Sequence, residues 1–550
     1  MEPEVDIQTY RVDDIPLLIW QQRVMGIAQI VDEIIQPHGN RQVLSIGWTI
    51  VAWLSYILSQ ADHRLSYVES WAEEQLPVLQ KLIPEQVNVR DFTDDRLGDV
   101  LTYLSNDESW SAIEAEVGQQ SMQVYELIPE RVHVDSTSAS LYHTPEGKSM
   151  VEYGHSKDHR PDLAQFKVMM SSLAPMGLPL ATLVVPGNQA DDSLYLPVIQ
   201  QSRRVLQRRG LLYIGDSKME ALTIRAAIAA GSDFYLTPLS KKGPSEPSDK
   251  RLLARAFETT RLQETDVEGE LFNWEERVLV LYSPNLAERL DQSLTQRLQR
   301  VEEHLNTLTP PSGRGRRQWS EQAPLQAAVD DMLKRYRLSE LLSVTYERQE
   351  SQRHIRKYRE RPARTEITVR YQIHVTRNSD AIERARRALG WRLFVTNSPT
   401  TQLSLADAVY SYREAPIHEH NFSRLKNRPL GLRPLYVHRQ EHMVGLVRLL
   451  SLALRLLTLV EFVARRELQE QQDSLVGLYE GNPNRSTQRP TTERLLRAFQ
   501  PITLTSVSLP AQNILHLSAL TTLQTRILTL LGLPESIYTD LVTQDHAIPP

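Results

Sequence analysis

The 550-residue sequence predicts an α/β fold: a mixed sheet with helices packed on it, preceded by a helical N-terminal segment. Three observations predict it. First, residues 8–125 carry apolar residues at helical spacing, as in Leu44 to Leu58 and Arg96 to Leu104. Second, short apolar runs replace that period from Arg131 onward: Arg131-Val-His-Val-Asp-Ser-Thr-Ser, Gln165 to Leu173, and Leu180 to Val185, with Pro175-Met-Gly as a turn. Third, strands and helices then alternate. A helix over Ser193 to Arg209 closes at Gly210, and a strand runs from Leu211 to Asp216. A helix over Met219 to Ala230 and a strand from Asp233 to Pro238 follow. Three successive strands followed by βαβ units imply a mixed sheet.

The pattern changes at Ser240-Lys-Lys-Gly-Pro-Ser-Glu-Pro-Ser, a polar linker. The region from there to about residue 390 reads as a separate body. It has a strand at Arg277 to Tyr282, a charged helix at Ala287 to Leu308 and a basic loop at Pro310-Pro-Ser-Gly-Arg-Gly-Arg-Arg. An alternating strand at Ile367 to Val375 and a helix at Asp380 to Leu389 complete it. Trp391 to Thr396 is a strand, Tyr412 to Lys426 is helical, and 442–467 is an apolar helix. The tail has an arginine-rich stretch (Arg485, Arg489, Arg494, Arg497) and a last helix near Leu520 to Leu531. The expected division is therefore 1–125, 126–240, 241–390, 391–470 and 471–550.

Composition narrows the chemistry. The chain has no cysteine, which excludes thiol catalysis, thiolate zinc sites, iron–sulfur clusters and disulfides. Met1 to Tyr10 lacks the basic-then-apolar pattern of a signal peptide. The longest apolar run, Met443 to Val463, contains Arg448, Arg455 and Glu461; lipid would strand those charges, so a buried helix is expected. The net charge of −6 averages two unlike parts: residues 1–130 carry 22 acids and 7 bases, the remainder 46 acids and 55 bases. The excess of 51 Arg over 11 Lys has two readings, planar, bidentate phosphate contacts or genomic base composition. There is no Walker loop, Gly-x-Gly-x-x-Gly or Gly-x-Ser-x-Gly motif, which argues against nucleotide-driven and serine-hydrolase chemistry.

Two carboxylates, Asp135 and Asp216, end strands of one expected sheet. Neighbouring strands lie about 5 Å apart, so such a pair can hold hard divalent cations through oxygen. A third carboxylate would complete a two-metal site for phosphodiester chemistry. Strand-end aspartates also serve as turn and cap residues.

Arg131-Val-His-Val-Asp135-Ser-Thr-Ser, Tyr213-Ile-Gly-Asp216-Ser and Tyr412-Arg-Glu-Ala-Pro-Ile-His-Glu419-His-Asn-Phe-Ser-Arg-Leu-Lys426 resemble bacterial insertion-sequence DDE transposases. They are similar to the subgroup with a Tyr-x2-Arg-x3-Glu-x6-Lys signature, onto which Tyr412, Glu419 and Lys426 fall. Gly154-His-Ser-Lys-Asp-His-Arg-Pro-Asp-Leu and Arg489-Pro-Thr-Thr-Glu-Arg-Leu-Leu extend the likeness.

The resemblance implies an RNase H-like catalytic core in two parts, 126–240 and 391–470. A strand-containing insertion domain (241–390) would interrupt it, and a helical N-terminal domain would precede it. It implies a transposase that cleaves DNA at transposon ends and transfers the strand to target DNA. Asp135, Asp216 and Glu419 would be both the catalytic carboxylates and the ligands of two Mg²⁺ ions, with Mn²⁺ as substitute. Tyr412 and Lys426 would hold a phosphate. The partners implied are double-stranded DNA, as inverted-repeat ends and target, and a second copy of the chain. No membrane is expected, and the location is cytoplasmic, with the nucleoid.

One position departs from the signature: Ala415 stands where it has Arg, and Pro416 follows. Pro416 either kinks the helix or occupies its first turn. Arg413 lies about 200° round a helix from the expected place. The departure keeps two alternatives open, an inactive transposase-derived DNA-binding protein and an RNase H-like structure-selective nuclease.

The remaining polar residues have simpler readings. His418 and His420 are expected at the surface or on DNA, Glu414 as a solvated helix-end charge, and Asp158, Asp162, Asp191 and Asp192 as turn and cap residues. His143, His155 and His159 lack zinc-ligand spacing. The basic runs 314–317, 353–364 and 485–497 fit a phosphate-tracking surface, with Arg356, Lys357 and Arg359 as contacts. Trp274, Trp319 and Trp391 are expected in cores before serving as platforms for a flipped base.

Overall fold

The computed structural model describes residues 6–36, 44–142, 149–158, 160–239, 264–268, 275–311, 318–356, 362–509 and 512–543. The expected linker at Ser240 to Ser248, most of the basic loop after Pro310, Lys357, Arg359, Trp274, His143 and His159 lie outside the described residues. The chain forms two compact units. One comprises Met1–Pro238, Val267–Arg277 and Val395–Pro550; the other comprises Leu239–Asp266 and Val278–Phe394.

The first unit begins with a strand, β1 (Asp6–Arg11), and six helices. These are α1 (Ile15–Val24), α2 (Ile27–Ile34), α3 (Ile46–Gln60), α4 (Val68–Leu82), α5 (Asp94–Ser105) and α6 (Asp107–Val124). The sequence suits these ends. Ser45 caps α3 by accepting from the Trp48 N–H at 3.2 Å, and Asn106 caps α6 by accepting from Ser109 N–H at 2.9 Å. Nearly every residue of α3 is buried, so its apolar character continues all round.

The sheet follows: β2 (Arg131–Leu141), β3 (Ala164–Leu173), β4 (Leu178–Pro186), β5 (Leu212–Gly215) and β6 (Phe234–Pro238). Helix α7 (Tyr195–Leu206) precedes β5, and α8 (Leu222–Ala230) joins β5 to β6. The hydrogen-bonded order is β4-β3-β2-β5-β6. The meander β2–β3–β4 is antiparallel, and β2, β5 and β6 run parallel. The sheet is thus mixed and the fold α/β, as the strand pattern predicts.

All ten residues of β3 are buried, which requires cover on both faces. Two neighbouring serines show how that cover divides. Side chains alternate along a strand, so Ser171 and Ser172 point to opposite faces. Ser171 Oγ meets Ser202 Oγ of α7 at 2.6 Å, and Ser172 Oγ meets His418 Nδ1 at 2.6 Å. His418 belongs to the helix Ala415–Lys426, so that helix and α7 sandwich the sheet.

The long helix Gln440–Glu470 packs on β4 and α5. It is apolar and long enough to cross a membrane, but 94% of its most apolar window is buried inside the protein. Its buried charges are paired. Arg455 donates to Glu114 Oε1 at 2.7 Å and to the carbonyls of Pro179 and Leu180. Arg448 pairs with Asp107, and Glu461 with Arg424 and Arg465. A strand near the C-terminal end, Thr503–Leu509, pairs antiparallel with β1 and with Gln512–Leu517.

The second unit has its own core. Leu294, Leu298, Val301 and Leu305, one stripe of the helix Pro284–Leu308, meet Leu325, Val329 and Leu333 of the helix Gln322–Tyr336. Trp319 packs against this cluster and donates its indole N–H to Leu308 O at 2.9 Å. Trp391 packs on Tyr282 with ring centroids 5.0 Å apart. A two-stranded ribbon, Leu342–Ile355 with Arg364–Arg377, starts at this core and continues with exposed residues on both strands.

Candidate active site

Strand register places the first two carboxylates. In the parallel pair of β2 and β5, Val134 lies opposite Gly215. Asp135, inside β2, and Asp216, the first residue after β5, come next, so they lie side by side, about 5 Å apart by strand spacing. Gly215 matters here for its missing side chain: a Cβ would come within 2.9 Å of the Tyr195 ring. That close approach lets the Tyr195 hydroxyl donate to Asp216 Oδ1 at 2.7 Å. The Lys218 N–H donates to the same oxygen at 2.8 Å, and Thr237 Oγ1 donates to the Asp216 carbonyl at 2.8 Å. Burial raises the Tyr195 hydroxyl pKa well above its usual value, and the charges of Asp216 and Asp135 add to the rise. Both carboxylates therefore act on one hydroxyl.

Asp135 Oδ1 accepts from the Ser136 N–H at 2.6 Å and from Lys157 Nζ at 3.0 Å. Lys157 also donates to Ser136 O and stands 3.8 Å from Asp191 Oδ2. Burial alone would raise Asp191, but the hydrogen bond from Lys167 and the charges of Lys157 and Lys167 outweigh it and leave Asp191 below its usual range. Lys157 and Lys167 thus neutralise an acidic pocket beside β2.

Glu419 lies on the helix Ala415–Lys426 with its side chain exposed. The helix is seated by buried His418, Asn421, Phe422 and Leu425, a stripe at helical spacing. Asn421 donates to Gly177 O, and the Phe422 ring meets His418 edge-on with centroids 4.7 Å apart. The backbone of Asp135 faces the His418 ring, so the residue before Glu419 rests on the strand of the first carboxylate. Burial drives the His418 imidazole down to about 3, with the nearby Lys157 charge adding, so it is neutral.

The donors Asp135, Asp216 and Glu419 are hard oxygens, the chemistry a divalent magnesium-type cation takes. The register supports the first two as a pair. Among the described residues, however, no three His, Asp or Glu side chains converge at metal-binding distance.

The signature segment is not one helix. Leu405–Arg413 ends before Ala415–Lys426 begins, and Pro416 sits in the first turn of the second helix, where its missing N–H costs nothing. Tyr412, half-buried, is therefore on a different helix from Glu419 and Lys426. Lys426 Nζ pairs with Asp158 Oδ1 at 2.8 Å, and Arg433 takes Asp158 Oδ2 at 2.7 Å. Arg356 is exposed in the second unit.

Three expectations need correction. His418 is a core residue, not a surface one, because its helix face is pressed onto β3. Glu414 is half-buried rather than solvated. It stands 3.4 Å from Arg131, which also donates to Ser411 Oγ, and burial raises its pKa against the Arg131 charge. Asp135 lies within β2 rather than at its end, because the strand continues to Leu141 paired with β3. Asp158, in a turn, and Asp191, the cap of a short 3-10 helix, hold the expected places and make ion pairs as well. Sequence reasoning assigned no role to Lys157, Tyr195 or Arg131. The only trace of Lys157 was its place in Gly154-His-Ser-Lys.

The mixed sheet thus carries two aspartates side by side on adjacent parallel strands. Residues 128–456 match the family described as transposase DDE domain, and residues 7–114 match a domain of unknown function. The first match covers more than half of the chain, which therefore belongs to the DDE transposase family. No curated protein matches the chain. Among solved structures, a cryo-EM structure of a piggyBac transposase synaptic complex with hairpin DNA is similar at 10% identity and a TM-score of 0.26. The match covers 48% of this chain and only 58% of that one.

Proposed function

We propose that the chain is a metal-dependent transposase of the bacterial insertion-sequence type, with an RNase H-like core. It cleaves double-stranded DNA at the inverted-repeat ends of its element and transfers the freed strand to target DNA. The observation that carries the reading is the β2–β5 register, which sets Asp135 beside Asp216.

Asp135, Asp216 and Glu419 would hold the cations, Mg²⁺ or Mn²⁺. A bound cation pair activates an attacking oxygen and stabilises the leaving one during phosphodiester exchange. The chain's own residues orient the ligands. The Tyr195 hydroxyl and the Lys218 N–H fix the Asp216 carboxylate, while Lys157 holds Asp135 and balances local charge. The stripe His418–Asn421–Phe422–Leu425 fixes the helix that carries Glu419. Lys426, at the far end of its helix, would meet a phosphate once Asp158 releases it, and Tyr412, on the preceding helix, would make a separate phosphate contact. Working on two ends requires two sites, so a homodimer on paired ends is proposed, acting on DNA in the cytoplasm.

The test is end cleavage by purified protein with Mg²⁺. Asp135→Ala and Asp216→Ala should each abolish cutting while leaving the protein folded; unchanged cutting in either variant refutes the assignment. A second reading, a DNA-binding protein without catalysis, is favoured by the ion pairs that occupy Asp135 and Lys426. It predicts end binding by the unaltered protein with no cleavage in Mg²⁺ or Mn²⁺.

A further inference from the structure

The tail of the first unit contains a loop that fixes two cations on one ring. Leu475–Val476 pairs with Ser486–Thr487 as a short hairpin. Its loop closes through two successive turns, from Asn482 N–H to Tyr479 O at 3.0 Å and from Arg485 N–H to Asn482 O at 3.1 Å. Gly481, at φ +76°, supplies the left-handed step inside the first of them. The path folds Arg485 back onto Tyr479, with its guanidinium carbon 4.0 Å from the ring centroid. Arg494, from the helix Thr492–Arg497, reaches the same ring at 4.2 Å.

The two guanidiniums are therefore within about 8 Å of each other, where exposed like charges repel by only about 0.5 kcal/mol in water, so both can stay on the ring and meet one anionic partner together. Arg485, Arg489, Arg494 and Arg497 are all exposed, and the Arg489 charge also bears on Arg465. Local carboxylates do not answer them. Glu461 and Glu493 are taken by Arg424 and Arg465, and the highly exposed Glu480 stands 3.8 Å from Arg497. Among the described residues, no carboxylate pairs with Arg485, Arg489 or Arg494. A guanidinium stacked by its face keeps the N–H groups on its edge free, and that planar fork matches phosphate oxygens. Two such cations on one ring, with a third exposed arginine, Arg489, between them in the chain, offer more charge than a single phosphate uses and fit a phosphate backbone.

We propose that Arg485, Arg489 and Arg494 form a docking surface for the backbone of duplex DNA, with Tyr479 as the ring that holds two of them ready. The choice of duplex DNA rests on the transposase reading above. Because the ring fixes the guanidiniums before binding, less ordering entropy is lost on contact. Phosphate contacts carry no base information, so the surface contributes affinity without sequence preference.

The test is binding by the full chain, without divalent metal, to labelled duplexes of two unrelated sequences over ~50 to 200 mM salt. Arg485→Gln/Arg494→Gln should weaken binding to both duplexes alike and reduce the log–log salt slope by about 1.8, two phosphates' worth. Arg489→Gln, which removes an exposed charge away from the ring, should reduce it by about 0.9. Tyr479→Phe should bind as the unaltered chain does, and Tyr479→Ala should weaken binding. Unchanged affinity and slope in both arginine variants, or a loss confined to one duplex, overturns the proposal. If the unaltered chain binds neither duplex, the transposase reading itself fails. Asp135→Ala should lose cleavage yet keep the full salt slope, separating the two claims.

Discussion

Replacing Arg455 by methionine tests what ties the N-terminal helices to the sheet. Arg455 and its partner Glu114 are each 1% exposed. The guanidinium joins Glu114 on α6 to the carbonyls of Pro179 and Leu180 on β4. Methionine preserves the apolar stem but removes the charge and every donor. Breaking one side of a buried pair costs about 3–5 kcal/mol, because the other side is left uncompensated. Burial raises the Glu114 pKa to about 7, against the lowering charges of Arg455 and Arg448. A carboxyl raised above its unfolded value stabilises the fold most when protonated, and that contribution is lost as pH rises through the folded value. Losing Arg455 removes an opposing charge and lifts the folded value further, so the penalty of Arg455→Met should grow from pH 5 to pH 8.5. Urea unfolding at both values measures it. Glu114→Gln/Arg455→Met should cost at least about 1 kcal/mol less than the sum of the singles, since neither charge is then stranded. A penalty under about 1 kcal/mol, independent of pH and additive in the double variant, would refute the reasoning.

Two other outcomes follow. Tyr195→Phe keeps the ring against Gly215 but removes one of two donors to Asp216. End cleavage should then need about 10-fold more Mg²⁺, the usual scale for losing a partner of a metal ligand, and an unchanged Mg²⁺ titration would show that the hydroxyl has no such role. Gly445→Ala would bring a Cβ within 2.1 Å of Leu101 O on α5, a backbone atom that cannot rotate away. We expect a loss of 1–3 kcal/mol or more in thermal or urea unfolding, and none if the two helices separate freely (magnitude about that of other overpacked cores).

Much of the core was legible in the sequence because its elements are locally encoded. The apolar runs leading into Asp135 and Asp216 mark strands, although β2 continues past Asp135 through the polar Ser136 to Ser140, and α7 and α8 show helical period. The stop at Pro416 was also local, since proline lacks the N–H that a continuous helix needs. Other features were not locally encoded. The strand Leu342–Ile355 alternates apolar and polar residues only over Leu342, Val344 and Tyr346 and is exposed and polar from there on, so most of its length carries no apolar pattern to detect. β1 pairs with Thr503–Leu509 across almost the whole chain, and no local pattern announces such a partner.

The same division runs through the candidate site. Sequence alone determined which residues carry oxygen ligands, where the chain must turn, and that thiol chemistry is absent, because these depend on residue type and short-range sterics. Only the tertiary structure decided which groups meet. It set Asp135 beside Asp216 through strand register, buried His418 beneath the Glu419 helix, and gave Lys426 to Asp158. Those outcomes depend on which faces of distant segments exclude water together, and that is a property of the packed chain rather than of any segment within it.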